Sequence, residues 1–263
     1  MGNRIWWLLF ALCFAGSAEA AMIAKPITYK VGDTQFEGQL VYDDASKTPR
    51  PGLVMAPNWY GVNAAAIAKA KQIAGSRYVI FLADMYGKDV RPTDNKAASA
   101  AVKPLYADRK LMRARINGAL DQLRGQANSA PIDLKRIAAI GFCFGGAAVL
   151  DLARSGADIA AVVTFHGDLK TDDPQLARSI KASVLAMNGA DDRGTMPDAP
   201  AFEDEMRNSP ADWQFVVFGH AVHCFTETDA HSPPGCVYNA KIAKRAYALM
   251  HAWLDEAFGK PPG

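Results

Sequence analysis

Gly141-Phe142-Cys143-Phe144-Gly145-Gly146 decides how this chain is read. An apolar run, Arg136-Ile137-Ala138-Ala139-Ile140, leads into it. A helix pattern of small and apolar residues, Ala147 to Arg154, leads out. Strand, glycine-flanked thiol and helix in that order form the nucleophile elbow G-x-S-x-G, with Cys in place of Ser. The glycines have a steric reason. The nucleophile sits on a strained turn, and a side chain two positions away on either side would collide with the neighbouring strand or helix. Such a turn holds the sulfur over the positive end of the following helix, which favours the thiolate. The other reading of the six residues alone is a buried cysteine in a glycine-rich strand-to-helix turn. The partners of a nucleophile must come from elsewhere in the chain.

The chain has 263 residues, half of them hydrophobic and 21% charged, a composition that suits one large α/β domain. A net charge of +2 gives no compositional support for a nucleic-acid or anionic-membrane role. Residues 1–20 read as a cleavable secretory signal. Arg4 is the positive start, Ile5 to Ala15 the apolar stretch, and Ala18-Glu19-Ala20 the small-x-small site, so cleavage is expected after Ala20. The apolar stretch is too short to span a bilayer. A periplasmic or secreted location is therefore expected, with no membrane association after cleavage and residues 21–263 forming the mature domain. Export leaves Cys143, Cys224 and Cys236, an odd count for an oxidising compartment. A Cys224–Cys236 disulfide across the intervening Pro/Gly-containing segment is the economical pairing, and it leaves Cys143 free.

Short strands are expected at 27–29 and 35–41, then buried strands at 52–56, 78–83, 136–140, 159–165 and 183–188, and a last strand at 213–218. Helices are expected from about Asn63 to Ser76, 94–102, 106–124, after the elbow, 173–180, 200–208 and 239–258. Buried strands alternating with helices imply a single domain built on a mostly parallel sheet with helices on both faces.

In such sheets the reacting groups gather beyond the carboxyl ends of the strands. Those ends here carry Asn58-Trp59, Cys143, Asp191-Asp192 and the stretch His220 to His223. Nucleophile, acid and histidine in that order is the α/β-hydrolase order. A thiol needs a base, and the base needs a carboxylate to fix its tautomer. His223 and His220 are the candidates for the base. Asp192, at the usual spacing after Gly189, is preferred to Asp191 as the acid. Oxyanion donors are expected from the N–H of Phe144 and from the Asn58-Trp59 turn. Trp59, Tyr60, Tyr86 and Phe165 are candidate aromatic pocket walls, and His166 a candidate wall or structural residue. The His and Cys residues lack metal-ligand spacing, and neither a C-x-x-C pair nor a phosphate loop is present, so no metal and no cofactor is expected.

With these residues the chain resembles the dienelactone hydrolases (carboxymethylenebutenolidase-like), a small α/β-hydrolase family with a Cys-Asp-His triad. The resemblance is carried by Trp59 to Asn63, Ala83 to Gly87, Gly141 to Gly146, Phe165-His166-Gly167, Asn188 to Asp192 and Ala221 to Phe225. It implies Cys143 as nucleophile, Asp192 as acid, His223 as base, the N–H groups of Trp59 and Phe144 as oxyanion donors, and a small ester or lactone as substrate. Well-known members carry Glu where Asn58 stands, and substrate-binding Arg at about Lys88, with Arg91 nearby, and at Glu227. Those exchanges point away from an anionic dienelactone. The expected activity is ester or lactone hydrolysis through an acyl-enzyme. The alternatives are a non-catalytic small-molecule-binding protein on the same scaffold and a thiol-redox protein pairing Cys143 with Cys224.

Overall fold

A computed structural model describes residues 22–259; the expected signal segment and its cleavage site lie outside them. Eight strands form one sheet in the order β1-β2-β4-β3-β5-β6-β7-β8. They are β1 (Met22–Val31), β2 (Thr34–Asp43), β3 (Arg50–Ala56), β4 (Val79–Leu82), β5 (Ile132–Phe142), β6 (Ala161–Phe165), β7 (Ser183–Gly189) and β8 (Trp213–Phe218). β1 pairs antiparallel with β2, and β2 antiparallel with β4; every pair from β4 to β8 is parallel. Among the described residues the α-helices are α1 (Ala64–Ala74), α2 (Asn95–Ala107), α3 (Arg109–Gly125), α4 (Phe144–Arg154), α5 (Ala199–Arg207) and α6 (Ala240–Ala257). This is the expected single, mostly parallel α/β layout. None of these helices is long and apolar enough to cross a membrane.

Alternation along the central strands divides the core into two layers. Val54, Ile137, Ala139, Val184 and Ala186 face α3, α4 and α5. Leu53, Met55, Ala138, Ile140, Leu185 and Met187 face α1 and α6. Both faces are covered, so these strands read as continuous apolar runs. From β3 the chain crosses by α1 to β4, on one side; from β5 it crosses by α4 to β6, on the other. The carboxyl ends of β3 and β5 therefore flank the point where the connections diverge, the usual place for a ligand crevice in an open sheet.

Several element boundaries differ from expectation. β1 runs ten residues rather than three, in full register from Met22↔Asp43 to Val31↔Thr34. Pro26 obscures it in the sequence but is tolerated because the strand is at the sheet edge. α2 continues through Pro104 to Ala107. The break comes at Asp108, whose N–H bonds the Pro104 carbonyl and whose side chain caps α3 by accepting from the Leu111 N–H. The helix expected at 173–180 is a short 3-10 turn, Pro174–Ser179.

Behind α4 lies a buried ionic cluster. Arg154, 1% exposed, donates to both carboxylate oxygens of Glu205 at 2.7 and 2.8 Å, to Asp151 and to the Leu169 and Lys170 carbonyls. Arg109 grips Asp151 with two hydrogen bonds of 2.9 Å. The cluster fixes α4 against α5 and against the loop that follows β6. Removing one partner of such a cluster leaves an uncompensated buried charge. Arg154→Met is therefore expected to lower the unfolding free energy by about 3–5 kcal/mol, read from urea denaturation followed by circular dichroism; a change below about 1 kcal/mol would show that the cluster does not hold α4.

Candidate active site

Cys143 stands between β5 and α4 with φ 53° and ψ −120°, a backbone that a side-chain-bearing residue adopts only under constraint. The glycines supply the constraint. A Cβ on Gly145 would lie 2.1 Å from the Ala56 carbonyl oxygen and 2.4 Å from that of Pro57, so the first turn of α4 rests directly on the end of β3. A Cβ on Gly141 would lie 2.1 Å from the Gly145 oxygen, and one on Gly146 2.6 Å from the Gly167 Cα. No real Cβ fits at any of these distances. The Cys143 N–H bonds the Phe165 carbonyl at 3.0 Å, which ties the turn to the end of β6.

His223 reaches the sulfur from the loop after β8. Its Nε2 lies 3.1 Å from Cys143 Sγ and its Nδ1 2.7 Å from Asp192 Oδ2. Asp192 is buried in the turn after β7. Its Oδ2 also accepts from the Thr195 hydroxyl at 2.8 Å, and its Oδ1 from the Gly194 N–H at 3.0 Å. Thr195 is itself held by Asn188 Nδ2 at 2.8 Å. Asp191 points to solvent, and His220 is exposed on its own turn, so neither takes part. Burial would raise the Asp192 pKa, but the hydrogen bonds from His223, Thr195 and Gly194, with the His223 charge, hold it below the usual carboxylate range. Burial opposes charge on His223 as well. Its hydrogen bonds to Asp192 and Cys143, and the charges of both, outweigh burial and raise it to about 10.

The remaining residues expected from sequence divide between turns, core and surface. Trp59 lies in the turn after β3 and packs against the core. No protein acceptor meets its N–H among the described residues. Phe144 is the first residue of α4, so its N–H is free of the helix ladder. Cys224 and Cys236 are joined by a disulfide, and Cys143 is free.

The cavity beside Cys143, about 890 Å³, is walled differently from expectation. Tyr106, Phe144, Lys170, Arg193, Thr195 and the Pro234-Gly235-Cys236 stretch line it with Cys143, Asp192 and His223. Phe165 is not a wall: it is fully buried and stacked on Phe142 in the layer facing α6. Tyr86 is buried against Phe144 and donates its hydroxyl to the Trp59 carbonyl at 2.8 Å, so it supports the site from behind. Tyr60 turns its hydroxyl to Asn95. Arg91 is spent on Asp84 and the Gly87, Val90 and Glu37 carbonyls, and Lys88 is exposed beside Gln35. His166 is fully buried, edge-on to the His223 ring at 5.0 Å, with Nε2 2.8 Å from the Thr226 hydroxyl. Asn58 lines a separate cavity of about 570 Å³ that includes Lys69, Phe142 and Glu227. Tyr106 was unreadable as a wall because it sits in a helix pattern that looks like ordinary packing; for Thr195 the signal was its spacing of three from Asp192.

The chain is similar to known proteins over most of its length. A solved structure described as a dienelactone hydrolase-like promiscuous phosphotriesterase P91, from metagenomic libraries, is 38% identical, with a TM-score of 0.82 over 91% of this chain and 100% of its own. A second, described as m3DLH, is 34% identical, with a TM-score of 0.81 over 91% of this chain and 100% of its own. Protein K02A2.1 of Caenorhabditis elegans is 34% identical over 153 residues, 56% of this chain and 94% of that one. The sequence model of the Dienelactone hydrolase family matches residues 36–258, nearly the whole described domain, and the chain belongs to that family of ester and lactone hydrolases.

Proposed function

We propose that this carboxylic-ester or lactone hydrolase works through a Cys143-His223-Asp192 triad and a thioester acyl-enzyme. The observation that carries the reading is the unbroken chain of contacts from Sγ to Nε2 at 3.1 Å and from Nδ1 to Oδ2 at 2.7 Å, opening on a cavity large enough for a small ester. The proton rests on His223, and the sulfur facing it attacks the acyl carbon as thiolate. The N–H groups of Trp59 and Phe144 receive the oxyanion. Collapse of the tetrahedral adduct breaks the C–O bond, and His223 Nε2–H protonates the departing alkoxide. Acylation also removes the negative sulfur, and with it interactions that raise the ring's pKa. The neutral ring then takes a proton from water as that water attacks the thioester, and the acid product leaves with Cys143 restored. Asp192 keeps Nδ1 protonated throughout.

The residues at the start of the chain support export, and the Cys224–Cys236 bond fits an oxidising compartment. The mature protein then works in the periplasm or outside the cell, starting at Ala21.

Cys143→Ala is expected to abolish hydrolysis of small activated esters and lactones while leaving the circular dichroism unchanged. Asp192→Asn is expected to lower kcat by roughly 10³–10⁴-fold, as loss of the acid does in related triads. Full turnover by Cys143→Ala would sink the mechanism, and an intact wild type inert on every ester and lactone tried would favour a binding protein. The His223 ring, followed by NMR, should titrate at about 10 in the wild type and at lower pH in Cys143→Ala, which loses one of the hydrogen bonds that raise it. Because its pKa is raised, the charged ring stabilises the fold fully below about pH 6.5, and that contribution is lost as pH rises through about 10. The stability advantage of the wild type over His223→Gln should therefore shrink between those limits. Expressed from its full gene, the protein should be recovered from the periplasm or medium with Ala21 as its first residue, and non-reducing peptide mapping should link Cys224 to Cys236. Recovery in the cytoplasm with residues 1–20 attached would refute export.

A further inference from the structure

Glu227 is buried four residues past His223, yet it touches no member of the triad. Its Oε2 accepts from Asn58 Nδ2 at 2.7 Å. Its Oε1 accepts from the ammonium of Lys69, on α1, and that ammonium lies 4.3 Å from the centre of the Phe142 ring. The charge pair is thus nearly closed from solvent, with the two side chains 14% and 9% exposed. Asn58 carries the connection onward. Its Oδ1 accepts from the Tyr60 N–H at 3.0 Å, and its backbone carbonyl from the Gly61 N–H at 2.9 Å. These bonds close the turn around Trp59. The same turn leaves β3 at the carbonyls against which Gly145 of the elbow is pressed.

We propose that Glu227 is a positioning residue for the oxyanion turn, acting through the Asn58 amide with Lys69 as its charge partner; this rests on Trp59 as an oxyanion donor. Position 58 must donate on one side and accept on the other. An amide does both, whereas a carboxylate there would set two acceptors and two negative charges face to face. Lys69 neutralises Glu227, so the anchor adds little net field at the sulfur while tying the turn to α1 and to the loop that carries His223. Misplacement of a donor by about 1 Å can lower the rate by about 10²-fold without altering ground-state binding.

Three readouts on the full mature chain test this: amide hydrogen exchange at Tyr60, kcat and KM on a small activated ester, and the rate at which iodoacetamide alkylates Cys143. Alkylation forms no oxyanion. Glu227→Ala and Asn58→Asp are expected to speed Tyr60 exchange and to lower kcat by roughly 10–100-fold at unchanged KM, with the alkylation rate within about twofold of wild type. Glu227→Gln keeps an acceptor for Asn58 Nδ2 and should hold kcat within about threefold. If Glu227→Ala fails to fold, Asn58→Asp, which leaves the Lys69–Glu227 pair in place, carries the test. Unchanged Tyr60 exchange in the variants overturns the proposal, as does alkylation that falls in step with kcat, since the effect would then run through Cys143 and His223. A wild type that turns over no ester sinks the triad reading, while the exchange measurement still decides whether Glu227 holds the turn.

Discussion

The placement of Cys143 depends on one close approach, that of the first turn of α4 to the end of β3. Backbone meets backbone there, with Gly145 against the Ala56 and Pro57 carbonyls and Gly146 against Gly167. Hydrophobic burial supplies the pressure. β3 and β5 are packed between two helix layers, and α4 is buried along its whole length. With no side chain to hold the turns apart, Cys143 is forced to φ 53° and its sulfur projects toward the loop that carries His223. Strain of this kind persists only where the surroundings over-determine it.

Charge is handled differently on the two faces of the sheet. Behind α4, Arg154, Arg109, Asp151 and Glu205 form a closed cluster whose effect is mechanical. On the α1 side the Lys69–Glu227 pair sits next to the turn after β3 and to Phe142, the residue before Cys143. The ring of His223 is edge-on to His166. Burial first, then the charges of His223 and Lys69, push His166 well below the usual histidine range, so it faces the charged ring as a neutral partner. The raised pKa of His223 therefore traces to Asp192 and Cys143.

The disulfide gives the loop after His223 a second attachment. Cys224 follows the histidine directly, and Cys236 returns the chain so that the Val237 N–H bonds the His223 carbonyl at 3.1 Å. One covalent bond thereby places Pro234-Gly235-Cys236 as a cavity wall and steadies the backbone of the histidine. Tyr106 on α2, Lys170 and Arg193 also line the cavity, so its lining carries charge from elements distant in sequence.

The α/β class, the succession of strands along the chain and the family were legible in the sequence, because buried parallel strands announce themselves as apolar runs and the elbow needs glycine at fixed positions. Cys143, Asp192 and His223, which the structure brings into contact, could be named for the same reason: each follows a strand whose carboxyl end points to one edge of the sheet. The choice of Tyr106 over Phe165 as a wall, and the withdrawal of Lys88 and Arg91 to the surface and to Asp84, came only with the folded chain. A turn presents adjacent residues to opposite sides, and a side chain after a strand can face the cavity or either core layer. Those directions depend on neighbours tens of residues away. Asn58, Lys69 and Glu227 show the limit most plainly. Each is an unremarkable polar residue in its own stretch, and the bonds among them exist because β3, α1 and the loop after β8 meet at one corner of the sheet.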